Sequence, residues 1–73
     1  SGNDTFLFDR ASGRDVIVDF QAGDSIRLDG FADHAGGFSV VCKGADTVIT
    51  YGETTITVEG VTLTEQQIRT MQE

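Results

Sequence analysis

One cysteine, Cys42, is all the chain has, so no disulfide forms within it. Proline is absent, and nine glycines are left to make the turns. Basic residues are few: five Lys and Arg stand against twelve Asp and Glu, for a formal charge of −7. That balance argues against nucleic acid and anionic membrane surfaces, which call for a cationic face. No apolar run is long enough to cross a bilayer, and no signal peptide opens the chain. Ser1-Gly2-Asn3 reads as a cut inside a repeat, so the missing leader does not decide the compartment. A chain of 73 residues buries only about 60% of the surface its unfolded form exposes, and one core is then marginal. With disulfides excluded, the remaining supports are a metal, oligomerisation, or stacking on further sequence.

Eight of the twelve acids are Asp, and carboxylate oxygens suit hard divalent cations. Val, Ile, Thr and Phe cluster in short runs that suit strands. These are Thr5–Phe8, Val16–Val18, Ser25–Leu28, Phe38–Val41, Thr47–Tyr51 and Thr54–Val58. Glycines punctuate them at Gly13, Gly23, Gly30, Gly44, Gly52 and Gly60. Only Leu63–Met71 carries a helical pattern: Thr64 is placed to cap it, Glu65, Gln66 and Gln67 fill the first turn, and Leu63, Ile68 and Met71 supply apolar contacts.

Repetition is more telling than composition. The pattern Asp-x-apolar recurs at Asp4-Thr5-Phe6, Asp15-Val16-Ile17, Asp24-Ser25-Ile26 and Asp46-Thr47-Val48. A glycine stands two residues before the Asp at Gly2, Gly13 and Gly44, and directly before it at Gly23. Each copy is one turn and one short strand, too small to bury its own apolar face, and such units become stable by stacking.

Those residues resemble the hemolysin-type (RTX) nonapeptide G-G-x-G-x-D-x-U-x, in which U is apolar. Gly2-Asn3-Asp4-Thr5-Phe6-Leu7 matches its second half. Gly13 to Phe20, followed by Gly23 to Leu28, is similar to the C-terminal domains of serralysin-type proteases. No copy holds the full Gly-Gly pair, and the likeness is weaker over 44–65. The resemblance implies an all-β fold: a short parallel β-roll (β-solenoid) with an irregular C-terminal capping sheet and a short terminal helix. It divides the single domain into degenerate roll turns over 1–31 and a cap over 32–73, with Val40, Val48, Ile56, Val58 and Leu63 covering the last coil and the helix over them. It also implies Ca2+ as cofactor, with Asp4, Asp15, Asp19 and Asp24 as carboxylate ligands and Gly2 and Gly13 as carbonyl donors. Calcium suits an irregular cage of about six to eight oxygens. Its partners would be upstream RTX repeats, and its setting secreted, extracellular and bacterial, associated with type I secretion.

Each Asp also has a plainer role, because an Asp beside Gly forms an Asx-turn by bonding backbone amides. For Asp46 that role is the expected one. For Asp24 the two stand level, and Asp9, Asp29 and Asp33 read as solvated loop acids. The five Phe residues read as core. A catalytic role finds little footing: His34 is the only histidine, and Cys42 ends an apolar run and is expected to be a buried, inert thiol. The chain is therefore expected not to be an enzyme. The competing expectation is a metal-independent module that caps a solenoid or forms a homo-oligomer through the open solenoid end.

Overall fold

Wherever a glycine turn separates two β-branched runs, the computed structural model, which describes residues 4–34 and 37–72, places a strand on each side. The strands are β1 (Thr5–Phe8), β2 (Arg14–Ile17), β3 (Ser25–Leu28), β4 (Phe38–Lys43), β5 (Asp46–Tyr51) and β6 (Thr54–Val58), and the helix is α1 (Glu65–Met71). The chain is thus mostly β with one short helix. All six glycines named above as punctuation have positive φ, the region where a Cβ is strained. Gly44-Ala45 and Gly52-Glu53 are two-residue hairpin loops with glycine first, which hold Lys43 opposite Asp46 and Tyr51 opposite Thr54.

Two sheets face each other. In the first, β1 and β3 pair in parallel, with Thr5 opposite Ser25 and Phe8 opposite Leu28. In the second the order is β2-β6-β5-β4, with β2 parallel to β6 and the other pairs antiparallel. The chain therefore runs from the first sheet to the second and back before laying β3 beside β1.

Alternation along each strand sends one set of side chains inward. Ile17, Ile26, Leu28, Phe38, Ile49, Tyr51, Ile56 and Val58 are buried together with Leu63 and Ile68 from the closing segment. Phe6, Phe8, Phe20 and Phe31 pack against that cluster half-buried, while Phe38 is buried in it. Val48 departs from its expected place in the core. The register sets it beside Thr57 and Val41 on the outer face, and Ile49, facing Ile56 and Val40, takes the interior position.

The helix begins one residue after Thr64, which forms a reciprocal capping box with Gln67. It packs along β3 rather than over the hairpin strands. Ile68 is its buried residue, and Arg69 bonds Glu65 at 2.8 Å while its guanidinium lies 5.0 Å from the Phe38 ring centre. Among the described residues no helix is long and apolar enough to cross a membrane.

Candidate functional site

The two outer edges of the paired strands β1 and β3 differ. Ser25, which opens β3, and Asp29, just past its end, donate to the carbonyls of Asp4, just before β1, and Phe8, its last residue. In a parallel ladder both backbone groups of one residue point to the same side, and the side alternates along the strand. Ile26 and Leu28 therefore turn their backbone groups away from β1. Side chains at the end of α1 meet them: Ile26 N–H donates to Met71 Sδ at 3.5 Å, and Leu28 N–H donates to Gln72 Oε1 at 2.8 Å. Gln72 Nε2 donates in turn to Ile26 O at 2.6 Å and to Ile68 O at 2.9 Å. Gln72 thus answers the β3 edge as a neighbouring strand would, with one donor and one acceptor.

The opposite end has no such cover among the described residues. The same alternation leaves Thr5 and Leu7 of β1 with backbone groups facing outward. On β2, Gly13 O and Ile17 O accept from Thr55 and Glu59, so Arg14 and Val16 face outward too. The inward side chains at this end are poorly covered. Phe6 and Phe8 are half-buried, while their register partners Ile26 and Leu28 are buried.

Asp24 is the best-defined of the predicted ligands. It is 7% exposed, and its Oδ1 accepts from Asp4 N–H at 2.9 Å and its Oδ2 from Gln21 N–H at 2.9 Å. These two amides, Asp4's first, hold its carboxyl below the usual range. The carboxylate therefore ties the turn before β3 to the residue that leads into β1, which is the Asx-type role extended across two strands.

Asp15 lies opposite Ile56 on β2, inward-facing like Ile17 two residues on. Its Oδ2 is buried and has no hydrogen-bond partner, an arrangement that costs free energy unless a donor or cation supplies what is missing. Asp4 and Asp19 are exposed. Gly13 has φ +81°, as a tight turn requires, and its carbonyl already accepts from Thr55. Gly2 lies outside the described residues. Asp46 takes its expected turn role, with Oδ1 accepting from Gly60 N–H at 2.8 Å.

Calcium's requirement can be set against this arrangement. No three His, Cys, Asp or Glu side chains gather among the described residues, and Asp24 is engaged through both oxygens. Only Asp15 offers a buried oxygen in need of a partner.

Several structural contributors carry no motif. Thr54 Oγ1 donates to Asp9 O and accepts from Ser12 N–H at 2.8 Å, pinning the β1–β2 turn to the second sheet. Thr47 Oγ1 donates to Val61 O at 2.7 Å and accepts from Leu63 N–H at 2.8 Å, fixing the segment that leads into α1. Gln72 follows the helical pattern by one residue and nothing in the residue pattern marks it. Asp9 is exposed, but it organises its own turn by accepting from Ala11 N–H and Ser12 Oγ. Cys42 is exposed rather than buried, since β4 is the last strand of its sheet and ends beside the hairpin. His34 is exposed after a 3-10 turn, Phe31–Asp33.

Comparison with known proteins found no matching family model, no matching curated protein and no matching solved structure.

Proposed function

We propose that this chain is a non-catalytic end cap that terminates a parallel β-roll and presents its β1–β2 end to a preceding coil. The observation that carries the reading is the contrast between the ends: α1 and Gln72 satisfy the β3 edge, while among the described residues β1 and β2 turn unpaired backbone outward and leave the inward Phe6 and Phe8 only half-buried. The path β1–β2–β3, returning in parallel register after twenty residues, is what one coil of such a roll would look like. A roll needs a terminal unit of this kind, because its last coil otherwise exposes strand edges and apolar interior.

The finer reading rests on the resemblance to RTX repeats. It makes the cap part of a secreted, bacterial calcium-binding roll associated with type I secretion, with the ion held where this end meets the preceding coil. Asp15 supports it through its unpartnered oxygen, and Asp19 and the backbone of the partner coil would complete the shell. Extracellular calcium modules commonly bind at about 10⁻⁴–10⁻³ M, and ion binding to repelling carboxylates supplies folding free energy.

A second reading has its own observation. Asp24 is satisfied by amides alone, which favours a cap that works without metal. Thermal melting of the chain extended by one preceding coil, in millimolar calcium and in chelator, separates the two. The calcium reading expects a higher Tm with calcium, and expects Asp15→Asn to remove that response while leaving the chelated protein no less stable. Identical melting curves in both solutions would discard the ion and leave the metal-free cap.

A further inference from the structure

We infer that Asp4 is a backbone hook that grips the main chain of one residue of the docking coil without a metal ion, just as Asp24 grips Asp4. The inference rests on the cap reading above and not on its calcium component. It starts from a repeated geometry. Thr5 and Ser25 are register partners, so a shift of one coil carries Asp24-Ser25 onto Asp4-Thr5.

At the observed step, two adjacent residues hold one residue of the neighbouring strand by both its backbone groups. Asp24 Oδ1 accepts the Asp4 N–H at 2.9 Å, and Ser25 N–H donates to the Asp4 carbonyl at 2.8 Å. The carboxylate's other oxygen is fixed by Gln21 N–H in its own turn. One Asp-x dipeptide therefore reads a residue whose N–H and C=O are both free.

Moved back one coil, the same dipeptide is Asp4-Thr5. Asp4 is exposed, and Thr5 directs its N–H outward by the alternation described above. The occupant that fits is a parallel strand of another coil of this repeat, stacked in continuation of the β1–β3 pairing. Its residue aligned with Asp4 would donate its N–H to the Asp4 carboxylate and accept from Thr5 N–H. Proline is excluded at that aligned position, because it has no N–H to give.

The test inserts a second copy of residues 4–23 immediately before Asp4, adding one coil to the full chain, and follows amide hydrogen exchange in chelator. The expected result is slowing of the Thr5 and Leu7 amides by at least about tenfold relative to the parent chain. Asp4→Ala in the extended chain is then expected to restore fast exchange at the first amide of the inserted copy and to lower Tm. If Thr5 and Leu7 become protected but Asp4→Ala changes neither quantity, the coil stacks without the hook: the inference is overturned and the cap stands. If Thr5 and Leu7 exchange as before, no stacking occurs, and the cap reading falls with the hook. The parent chain provides a measurement that needs no insertion. Asp24→Ala is expected to speed exchange of the Asp4 amide, and an unchanged rate there overturns the hook directly.

Discussion

Hydroxyl and amide side chains with no motif around them hold the connections of this protein in place. Thr54 uses its hydroxyl both as donor and as acceptor, between Asp9 O and Ser12 N–H. Thr54→Val keeps the shape of the side chain and removes both bonds. The expected loss is about 1–2 kcal/mol, read as a fall in Tm of roughly 4–16 °C for a domain of this size. Titration adds a pH dependence with a definite sign at each limit. Asp24 and Asp9 have lowered pKa values, each caused first by a backbone amide, from Asp4 and from Ala11. Their contribution is present above the unfolded carboxylate range near about 4 and is lost as pH falls through the lowered values. Tyr51 is raised, first by burial, and its hydroxyl donates to Asp29 O at 2.8 Å. Its neutral form is the folded one, so that contribution is present below about pH 10 and is lost as pH climbs through the raised value. Melting temperature against pH should therefore show a plateau that falls at both limits, and Tyr51→Phe should flatten the alkaline fall alone.

Elements were more legible in the residue pattern than their neighbours were. The runs Thr5–Phe8, Ser25–Leu28 and Thr54–Val58 match β1, β3 and β6 residue for residue, since β-branched runs bounded by glycine have few other conformations. Thr64 caps the helix as its position foretold, and all six glycines named as punctuation sit at positive φ. What local pattern could not convey was pairing. Gly44-Ala45-Asp46 carries the same Gly-x-Asp spacing as Gly13-Arg14-Asp15, yet it closes an antiparallel hairpin while the other precedes a parallel pair, because the choice depends on distant partners. Val48 was misplaced for the same reason: alternation gives two faces, and only the register with Thr57 and Val41 says which one is outward. The two hairpin glycines differ in what surrounds them. A Cβ on Gly52 would lie 2.8 Å from Arg10 Cβ and 3.0 Å from Arg10 O, whereas one on Gly44 would meet nothing within 4 Å. Both have φ +62°. Gly44→Ala should cost on the order of 1 kcal/mol from backbone strain alone, and Gly52→Ala clearly more, because the β1–β2 turn must also shift. Chemical denaturation of the two variants checks this, and equal losses would remove the packing contribution.

Across the whole molecule, a charge of −7 and, among the described residues, a strand edge closed by Gln72 beside β3 and left open along β1 fit the proposed cap. The candidate ligands were visible in the sequence as a repeat, but their state was not. Whether a carboxylate binds an amide or waits for a partner depends on how coils align, and Asp24 and Asp15 came out differently from the same motif. The closing device, Gln72, was invisible because nothing in a lone glutamine shows that a strand edge will lie beside it. Amide hydrogen exchange on the unmodified chain and on Gln72→Ala measures the difference between the ends directly. The Leu28 and Ile26 amides should exchange slowly in the parent and quicken in Gln72→Ala, Leu28 most, while Thr5, Leu7 and Val16 exchange fast in both. Thr5 and Leu7 as protected as Leu28 in the parent, or a Leu28 rate indifferent to Gln72, would contradict a molecule with one closed end and one open one.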